Sequence, residues 1–192
     1  MPSPYIIISS LLALISPFVY AIAIIKGRAK PHRTTRFVIL IITTLATASL
    51  FASGNRVAIY LAGASAINGI ILFTLSIKYG MGGWAKPDII CLTLAIIGIV
   101  LWQITKNPII ALYFAIFADI MGMFPTMVKA YRFPKTEVWS PFLMDSFAGL
   151  LSLLAIKNWI VQEYSFSLYI MLINFLMVLI IIRPHAKSIH HN

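Results

Sequence analysis

Charged residues are scarce in this chain: Asp, Glu, Lys and Arg make up 10% of its 192 residues, whereas hydrophobic residues make up 60%. The mean hydropathy is +0.94. A soluble domain of this size could not cover so much apolar surface with so few charges, but a helix bundle in lipid needs no such cover. The composition therefore excludes a soluble protein. It predicts one integral membrane domain over residues 1–192, embedded in the lipid bilayer of the plasma (cell inner) membrane.

Cysteine is also scarce, since Cys91 is the only one and it sits in an apolar run. A single cysteine supports neither a disulfide framework nor a thiolate metal site. The sequence has no His/Asp cluster, nucleophile motif or metal-ligand spacing either. These absences argue against an enzyme, and we expect no cofactor and no bound metal.

Acidic residues number five against 15 Lys and Arg, which gives a formal net charge of +10. A charge of this size can indicate a nucleic-acid partner. Here the basic residues lie in short loops between apolar segments, so they form no continuous basic face. We therefore expect no nucleic-acid partner.

Long apolar runs divide the chain into seven segments, each near the roughly 20 residues that cross a bilayer. The runs do not alternate polar and apolar residues, so they are predicted to be α-helices and not barrel strands. The predicted spans cover residues 5–25, 37–53, 57–77, 88–104, 108–130, 139–157 and 163–182.

The basic residues are divided unequally between the two sets of loops. Twelve of the 15 lie after spans one, three and five and in the C-terminal tail, and the other three lie in the remaining loops. Arg36 is counted here as a loop residue just before span two. Because positively charged loops stay in the cytoplasm, the sequence predicts an N-terminus outside and a cytoplasmic C-terminus.

Two pairs of markers recur at nearly one spacing along the chain. Pro17 and Pro125, each late in its span and followed by a basic turn, are 108 residues apart, and Asn68 and Asn174 are 106 residues apart. The spacing predicts an internal repeat whose halves share one orientation, as in parallel-repeat transporters. The predicted units are a triple-helix repeat over residues 5–77, a linker helix over 88–104 and a second triple-helix repeat over 108–182.

The most distinctive segment is the turn Lys135-Thr136-Glu137-Val138-Trp139-Ser140, with Asp145 early in the next span. It resembles the PQ-loop repeat, which unites the SWEET sugar transporters with lysosomal amino-acid exporters of the cystinosin type. That repeat pairs a late-helix Pro-Gln with a turn of the form Lys-Ser-Thr-Glu-Gly-Trp/Leu-Ser, and the exporters place an aspartate early in the next helix. Here Thr126 replaces the glutamine. The first repeat matches only loosely, with Phe18 after Pro17.

The chain is also similar to SWEET proteins in its prolines and asparagines. Pro17, Pro125 and Pro141 fall where SWEET spans carry prolines that permit bending, so the resemblance implies that they are gate or hinge residues. Asn68 and Asn174 match the asparagines that SWEET pockets place in spans three and seven. No tryptophan lies mid-span in two or six, where SWEET pockets often stack an aromatic ring on sugar.

Asp119 in span five and Asp145 in span six are the only carboxylates predicted at bilayer depth. An ionisable group there is costly and is a functional hypothesis by default. A carboxyl group in such surroundings favours its uncharged form, which would let Asp145 take up and release a coupled proton. Asp119 would assist at the binding site, or instead pair with Lys129 or Arg132.

Other polar residues recur at helical spacing and mark faces that would converge on a midplane cavity. Thr43 and Thr47 mark one face of span two, and Asn68 and Asn174 lie on faces of spans three and seven. Together with the two aspartates they form the predicted substrate-binding set. The alternative is structural, because small residues in membrane helices often serve close packing, Ser and Thr often bond to their own backbone, and asparagines can join helices.

These features predict a transporter that moves a small polar solute by alternating access around a midplane polar site. The aspartates favour an amino acid or proton coupling, and the asparagines favour a sugar. The alternative is a SWEET-fold membrane receptor or assembly protein that does not transport, as KDEL receptors bind cargo. The sequence leaves open whether the chain forms a homo-oligomer.

Overall fold

The computed structural model describes residues 3–29, 31, 33–80, 86–134 and 137–183, without the side chains of Pro125 and Lys129. Over these residues the chain forms seven α-helices and no β-strand. The helices are α1 (Pro4–Ile25), α2 (Arg33–Ala52), α3 (Ala58–Tyr79), α4 (Lys86–Thr105), α5 (Pro108–Arg132), α6 (Trp139–Leu154) and α7 (Val161–Ile182). Each overlaps one of the predicted spans.

Six of the described helices are long and apolar enough to cross a membrane. They contain 20 to 25 residues, which at about 1.5 Å per residue gives roughly 30 to 38 Å, enough for the hydrocarbon core of a bilayer. Large apolar side chains such as Ile7, Phe51, Phe117 and Leu172 point outward and are 48 to 76% exposed. Lipid suits this surface better than water does, so the prediction of a helical membrane protein is confirmed.

Two helices depart from their predicted bounds by more than two residues. α2 begins at Arg33, so the assignment of Arg36 to the preceding loop is wrong. Hydropathy excludes charged residues from a span, whereas the helix itself continues towards the interface, where long basic side chains can reach polar surroundings. α6 ends at Leu154, before the predicted residue 157, because its last turn closes on Ala155. With 16 residues, α6 is the shortest of the described helices.

The contacts between helices follow a regular pattern. α3 lies between α1 and α2, whose backbones do not come close to each other within the described residues, and α7 likewise lies between α5 and α6. α1 packs along α6, α2 packs along α5, and α4 packs on α5 with a smaller contact to α2. The largest buried apolar cluster draws residues from all of these helices, so the described helices share one core.

The interface between α1 and α6, which we call the α1–α6 seam, is joined by hydrogen bonds along its length. These bonds are Ser9 Oγ to Ala148 O (2.7 Å), Ser16 Oγ to Pro141 O (3.3 Å) and Tyr20 OH to Glu137 Oε2 (3.3 Å). Each step of seven or four residues forward along α1 is matched by an equal step backward along α6. The two helices are therefore antiparallel, and one register holds from end to end.

α6 and α7 approach each other closely at Gly149. A Cβ built on Gly149 would lie 2.7 Å from the backbone nitrogen of Met171 and 3.0 Å from its Cα. Backbone atoms cannot move aside as a flexible side chain can, so this approach requires a glycine. The hydroxyls of Ser152 and Ser167, which lie 2.8 Å apart, join the same two helices.

We expect Gly149→Ala to lower the free energy of unfolding by about 1–3 kcal/mol, the usual cost of overpacking a filled interface. Gly63→Ala is the matched control, because a Cβ built there meets no atom within 4 Å and alanine is the better helix former. Reversible unfolding of both variants in mixed micelles measures the difference. Equal stability of the two variants would contradict the packing of α6 on α7.

Candidate functional site

A cavity of about 120 Å³ lies inside the bundle. Its wall is formed by residues of α1, α2, α3, α5, α6 and α7. Engineered cavities of about 150 Å³ bind one molecule of benzene, so the space suits one small molecule. Unlike those apolar cavities, this one has arginine, aspartate, asparagine, serine, threonine and tyrosine side chains in its wall, which suits a polar occupant.

Most of the predicted substrate-binding set lines this cavity. Asn68 of α3, Asn174 of α7, Asp119 of α5, Asp145 of α6 and Thr43 of α2 all belong to its wall. Residues far apart in the sequence are therefore brought together around one space.

The two threonines of α2 differ in position. Thr43 belongs to the cavity wall, whereas Thr47 lies one turn further along α2, outside the set of wall residues. The Thr47 hydroxyl donates to the Thr43 carbonyl at 2.8 Å, and the Thr43 hydroxyl donates to Ile39 O at 3.0 Å. Both hydroxyls thus bond to their own helix, as the structural interpretation of these residues expects.

The two asparagines are satisfied to different degrees. Asn174 Nδ2 donates to Ile170 O at 2.8 Å. The buried Oδ1 of Asn68 has no hydrogen-bond partner among the described residues. An unpaired buried acceptor costs about 1–3 kcal/mol, and an O–H or N–H group of a solute in the cavity would satisfy it.

Asp119 is held in place by α7. The Tyr169 hydroxyl donates to Asp119 Oδ2 at 2.5 Å, which joins α5 to α7 beside the cavity. Of the two predicted alternative partners, Arg132 is exposed near the end of α5. The side chain of Lys129 lies outside the part of the chain that the structure describes, so that pairing stays a prediction.

Asp145 lies on the cavity face of α6, beside the Ser16 hydroxyl of α1. That hydroxyl donates its proton to Pro141 O, one turn earlier on α6, at 3.3 Å. Asp145 therefore sits next to the α1–α6 seam, where a relative movement of the two helices would change its surroundings.

Arg36 and Tyr20 belong to the cavity wall, although neither is in the predicted site. The Arg36 guanidinium carbon lies 5.1 Å from the centroid of the Tyr20 ring. Its charge acts on the Tyr20 hydroxyl and on Asp119. Helical spacing could have revealed it, because Arg36 precedes Thr43 by seven residues and so lies on the same face of α2.

The predicted hinge prolines lie at different positions within their helices. Pro17 lies inside α1, where it removes a helix hydrogen bond, and it lines the cavity. Pro141 also lines the cavity, but it lies in the first turn of α6, whose N–H groups have no partner within the helix. α5 runs through residue 125, and the side chain of Pro125 lies outside the described residues. The hinge role of all three prolines stays a prediction.

The distinctive turn before α6 is described only in part. Lys135 and Thr136 lie outside the described residues. Glu137 is buried and accepts the hydrogen bond from Tyr20, while Trp139 begins α6 and is 46% exposed. The acidic residue of the turn therefore joins the loop before α6 to α1.

Comparison of the chain with protein-family models, with curated proteins and with solved structures finds no match. In the ranges that the structure describes, no three His, Cys, Asp or Glu side chains are grouped so that they could hold a metal ion. The function is therefore inferred from the residues of the cavity.

We expect Tyr169→Phe to lower the free energy of unfolding by about 1–3 kcal/mol, because Asp119 loses the hydroxyl that donates to it. Tyr164→Phe on the same helix is the control, since Tyr164 contacts Trp159 and does not line the cavity. Combining Tyr169→Phe with Asp119→Asn in a double-mutant cycle measures the coupling. Additive effects of the two substitutions would contradict the pairing.

Proposed function

We propose that the chain is a transporter that moves one small polar solute, a sugar or an amino acid, across the membrane by alternating access. The observation that supports this most directly is the cavity. Its wall combines two aspartates, two asparagines and an arginine from α2, α3, α5, α6 and α7. Charged and amide groups within a membrane bundle are costly, and five of them around one space exceed what helix packing requires.

We also propose the 3+1+3 arrangement, with two parallel triple-helix bundles joined by the linker helix α4. The helix contacts support it, because α3 lies between α1 and α2 as α7 lies between α5 and α6. If α1, α2 and α3 are taken as equivalent to α5, α6 and α7, the contact of α1 with α6 corresponds to the contact of α5 with α2. α4 contributes no residue to the cavity wall in the described part of the chain, as a linker would not.

Membership of the PQ-loop and SWEET-like superfamily is part of the proposal. Three observations support it. Glu137, the acidic residue of the motif, joins the turn to α1. Asp145, the aspartate after the motif, lies in the cavity wall. Asn68 and Asn174, which mark the two repeats, meet at the same cavity. The solute class of sugars or amino acids follows from this membership.

The proposed role of each side chain follows from the hydrogen-bonding groups that it does not already use within the protein. Asn68 offers an unpaired acceptor oxygen. Asn174 offers its own oxygen and its second N–H, since one N–H already donates to Ile170. Asp145 carries a coupled proton or contacts a cationic group of the solute. Asp119 assists from its position beside Tyr169.

Alternating access requires the cavity to open first to one side of the membrane and then to the other. The α1–α6 seam closes part of the cavity wall, since α1 and α6 each contribute three wall residues. Rocking of one bundle against the other would part the seam at one end. Pro17, inside α1, lowers the cost of bending that helix.

We propose an N-terminus outside and a cytoplasmic C-terminus, from the division of basic residues between the loops. We expect a membrane-impermeant maleimide to label Asn158→Cys in intact cells but to label Lys26→Cys only after permeabilisation. Both positions are exposed in loops, and the native Cys91 is buried. The opposite labelling pattern would invert the orientation.

Solute flux into proteoliposomes tests the transport proposal. We expect flux of at least one solute from a panel of sugars and amino acids, and we expect Asp145→Asn to abolish its pH dependence if Asp145 carries the coupled proton. Glu163→Gln is the matched control, because Glu163 lies in the first turn of α7 and is not a wall residue.

Two outcomes would contradict parts of this proposal. Unchanged pH dependence in Asp145→Asn would remove the proton-coupling role. Absence of flux for every solute, from verified and oriented protein, would remove transport and favour the alternative of a SWEET-fold receptor or assembly protein.

A further inference from the structure

The cavity contains a cation whose role the transport mechanism does not explain. Arg36 is the one Lys or Arg among the wall residues in the described part of the chain. A charge that is partly removed from water is costly unless it is paired and hydrogen-bonded. A cavity for a neutral sugar would not need a guanidinium group in its wall.

Arg36 differs from Arg33, which lies one turn earlier on α2. The Arg33 guanidinium donates to the carbonyls at the end of α3, which are Ser76 O (3.3 Å), Ile77 O (3.0 Å) and Gly80 O (3.4 Å). Those bonds satisfy the last carbonyls of a helix, so Arg33 has a structural role. Arg36 lies at the cavity instead.

The contacts of Arg36 leave much of its hydrogen-bonding capacity unused. It lies over the Tyr20 ring, and this contact uses none of the N–H groups of the guanidinium. The Tyr20 hydroxyl gives its own proton to Glu137. A hydroxyl oxygen accepts at most two hydrogen bonds and a guanidinium has five N–H donors, so even two bonds to that oxygen would leave three donors.

Each of the two wall carboxylates lies beside a hydroxyl group of a neighbouring helix. The Asp119 carboxylate accepts from Tyr169 at 2.5 Å, and Asp145 lies beside the Ser16 hydroxyl. Among the residues that the structure describes, no carboxylate forms a direct ion pair with Arg36. A planar guanidinium with donors to spare matches a carboxylate, which can accept two parallel N–H bonds from it.

We infer that the solute taken up by this cavity carries a carboxylate and that Arg36 binds it. The inference rests on the proposal that the cavity is the solute site of a transporter. It excludes neutral sugars as the preferred solute. It also makes Arg36 the specificity-determining residue, with Tyr20 holding it in position through the ring contact.

Two kinds of solute share this chemistry. One is a zwitterionic amino acid, whose ammonium group would be accepted by Asp145. The other is an amine-free carboxylate such as a small hydroxy acid, whose hydroxyl would donate to the unpaired Asn68 Oδ1. The test below separates them. An amino acid would be bound through both its carboxylate and its ammonium group, whereas a hydroxy acid would be bound without an amine.

Equilibrium binding to the purified wild-type protein tests the inference, with each acid paired with the amide that lacks its carboxylate. The probes are L-alanine and L-alaninamide, L-leucine and L-leucinamide, L-lactate and L-lactamide, and D-glucose. We expect at least one acid to bind at least about tenfold more tightly than its amide and than glucose, because the amide cannot form the charged bidentate pair. Tighter binding of the amino acids than of lactate would identify the zwitterion.

Variants of Arg36 test the residue itself. We expect Arg36→Gln to weaken binding of the acid roughly 10- to 100-fold, the loss expected when a charge-assisted hydrogen bond is removed, while Arg36→Lys loses less. Arg28→Gln is the control, because Arg28 is an exposed loop residue outside the cavity wall. Thermal unfolding of each variant verifies that it is folded, and the comparison of acid with amide on the wild type needs no variant.

Several results would overturn the inference. They are equal affinity for an acid and its amide, binding of glucose alone, binding of no acid, or unchanged affinity in folded Arg36→Gln. Failure of the transport proposal is distinguishable from these results. Carboxylate binding without flux would remove transport and leave the role of Arg36 standing. Sugar flux that is unchanged in Arg36→Gln would support transport and contradict the role of Arg36.

Discussion

Polar side chains inside a lipid-embedded bundle must find their partners within the protein, because the surrounding lipid offers none. Much of this molecule follows from that constraint. Hydroxyls of Ser9, Ser152 and Tyr169 bond across from one helix to another, and so fix the neighbours and register of α1, α5, α6 and α7. The groups with hydrogen-bonding capacity left over, the Asn68 oxygen and the Arg36 donors, both face the cavity. These unused hydrogen-bonding groups are the observation that indicates a solute.

The two serine bonds of the α1–α6 seam, from Ser9 to Ala148 O and from Ser16 to Pro141 O, can be exchanged at low cost. A serine hydroxyl bonded to a carbonyl of the facing helix can turn to a carbonyl one turn earlier in its own helix. Ser10 of α1 already does so, donating to Ile6 O at 2.8 Å. Each such bond contributes roughly 1 kcal/mol to the stability of the closed seam. Parting the seam at one end would therefore cost only a few kcal/mol, the range in which two conformations exchange.

Hydropathy predicted that the protein is a helical membrane protein and located its helices, because apolar length is a property of local sequence. Spacing along each helix also led to Asn68, Asn174, Asp119, Asp145 and Thr43, which line one cavity. Three features escaped it, each for a physical reason. The start of α2 is set by hydrogen bonding and not by hydropathy, so Arg36 was assigned to a loop. The partner of Asp119 is a tyrosine 50 residues away, and helical spacing reports only neighbours on one helix. The close approach at Gly149 depends on how α6 and α7 cross.

The central claim is that α1 and α6 close a solute cavity and must part for a solute to pass. Cross-linking this seam tests it most directly. Ser9 Oγ lies 2.7 Å from Ala148 O, so the two helices are in contact at this point, and a disulfide formed between Ser9→Cys and Ala148→Cys would hold them together there. The account predicts that oxidation abolishes flux in proteoliposomes, that reduction restores it, and that each single variant transports normally. Undiminished flux with the cross-link complete would contradict the account.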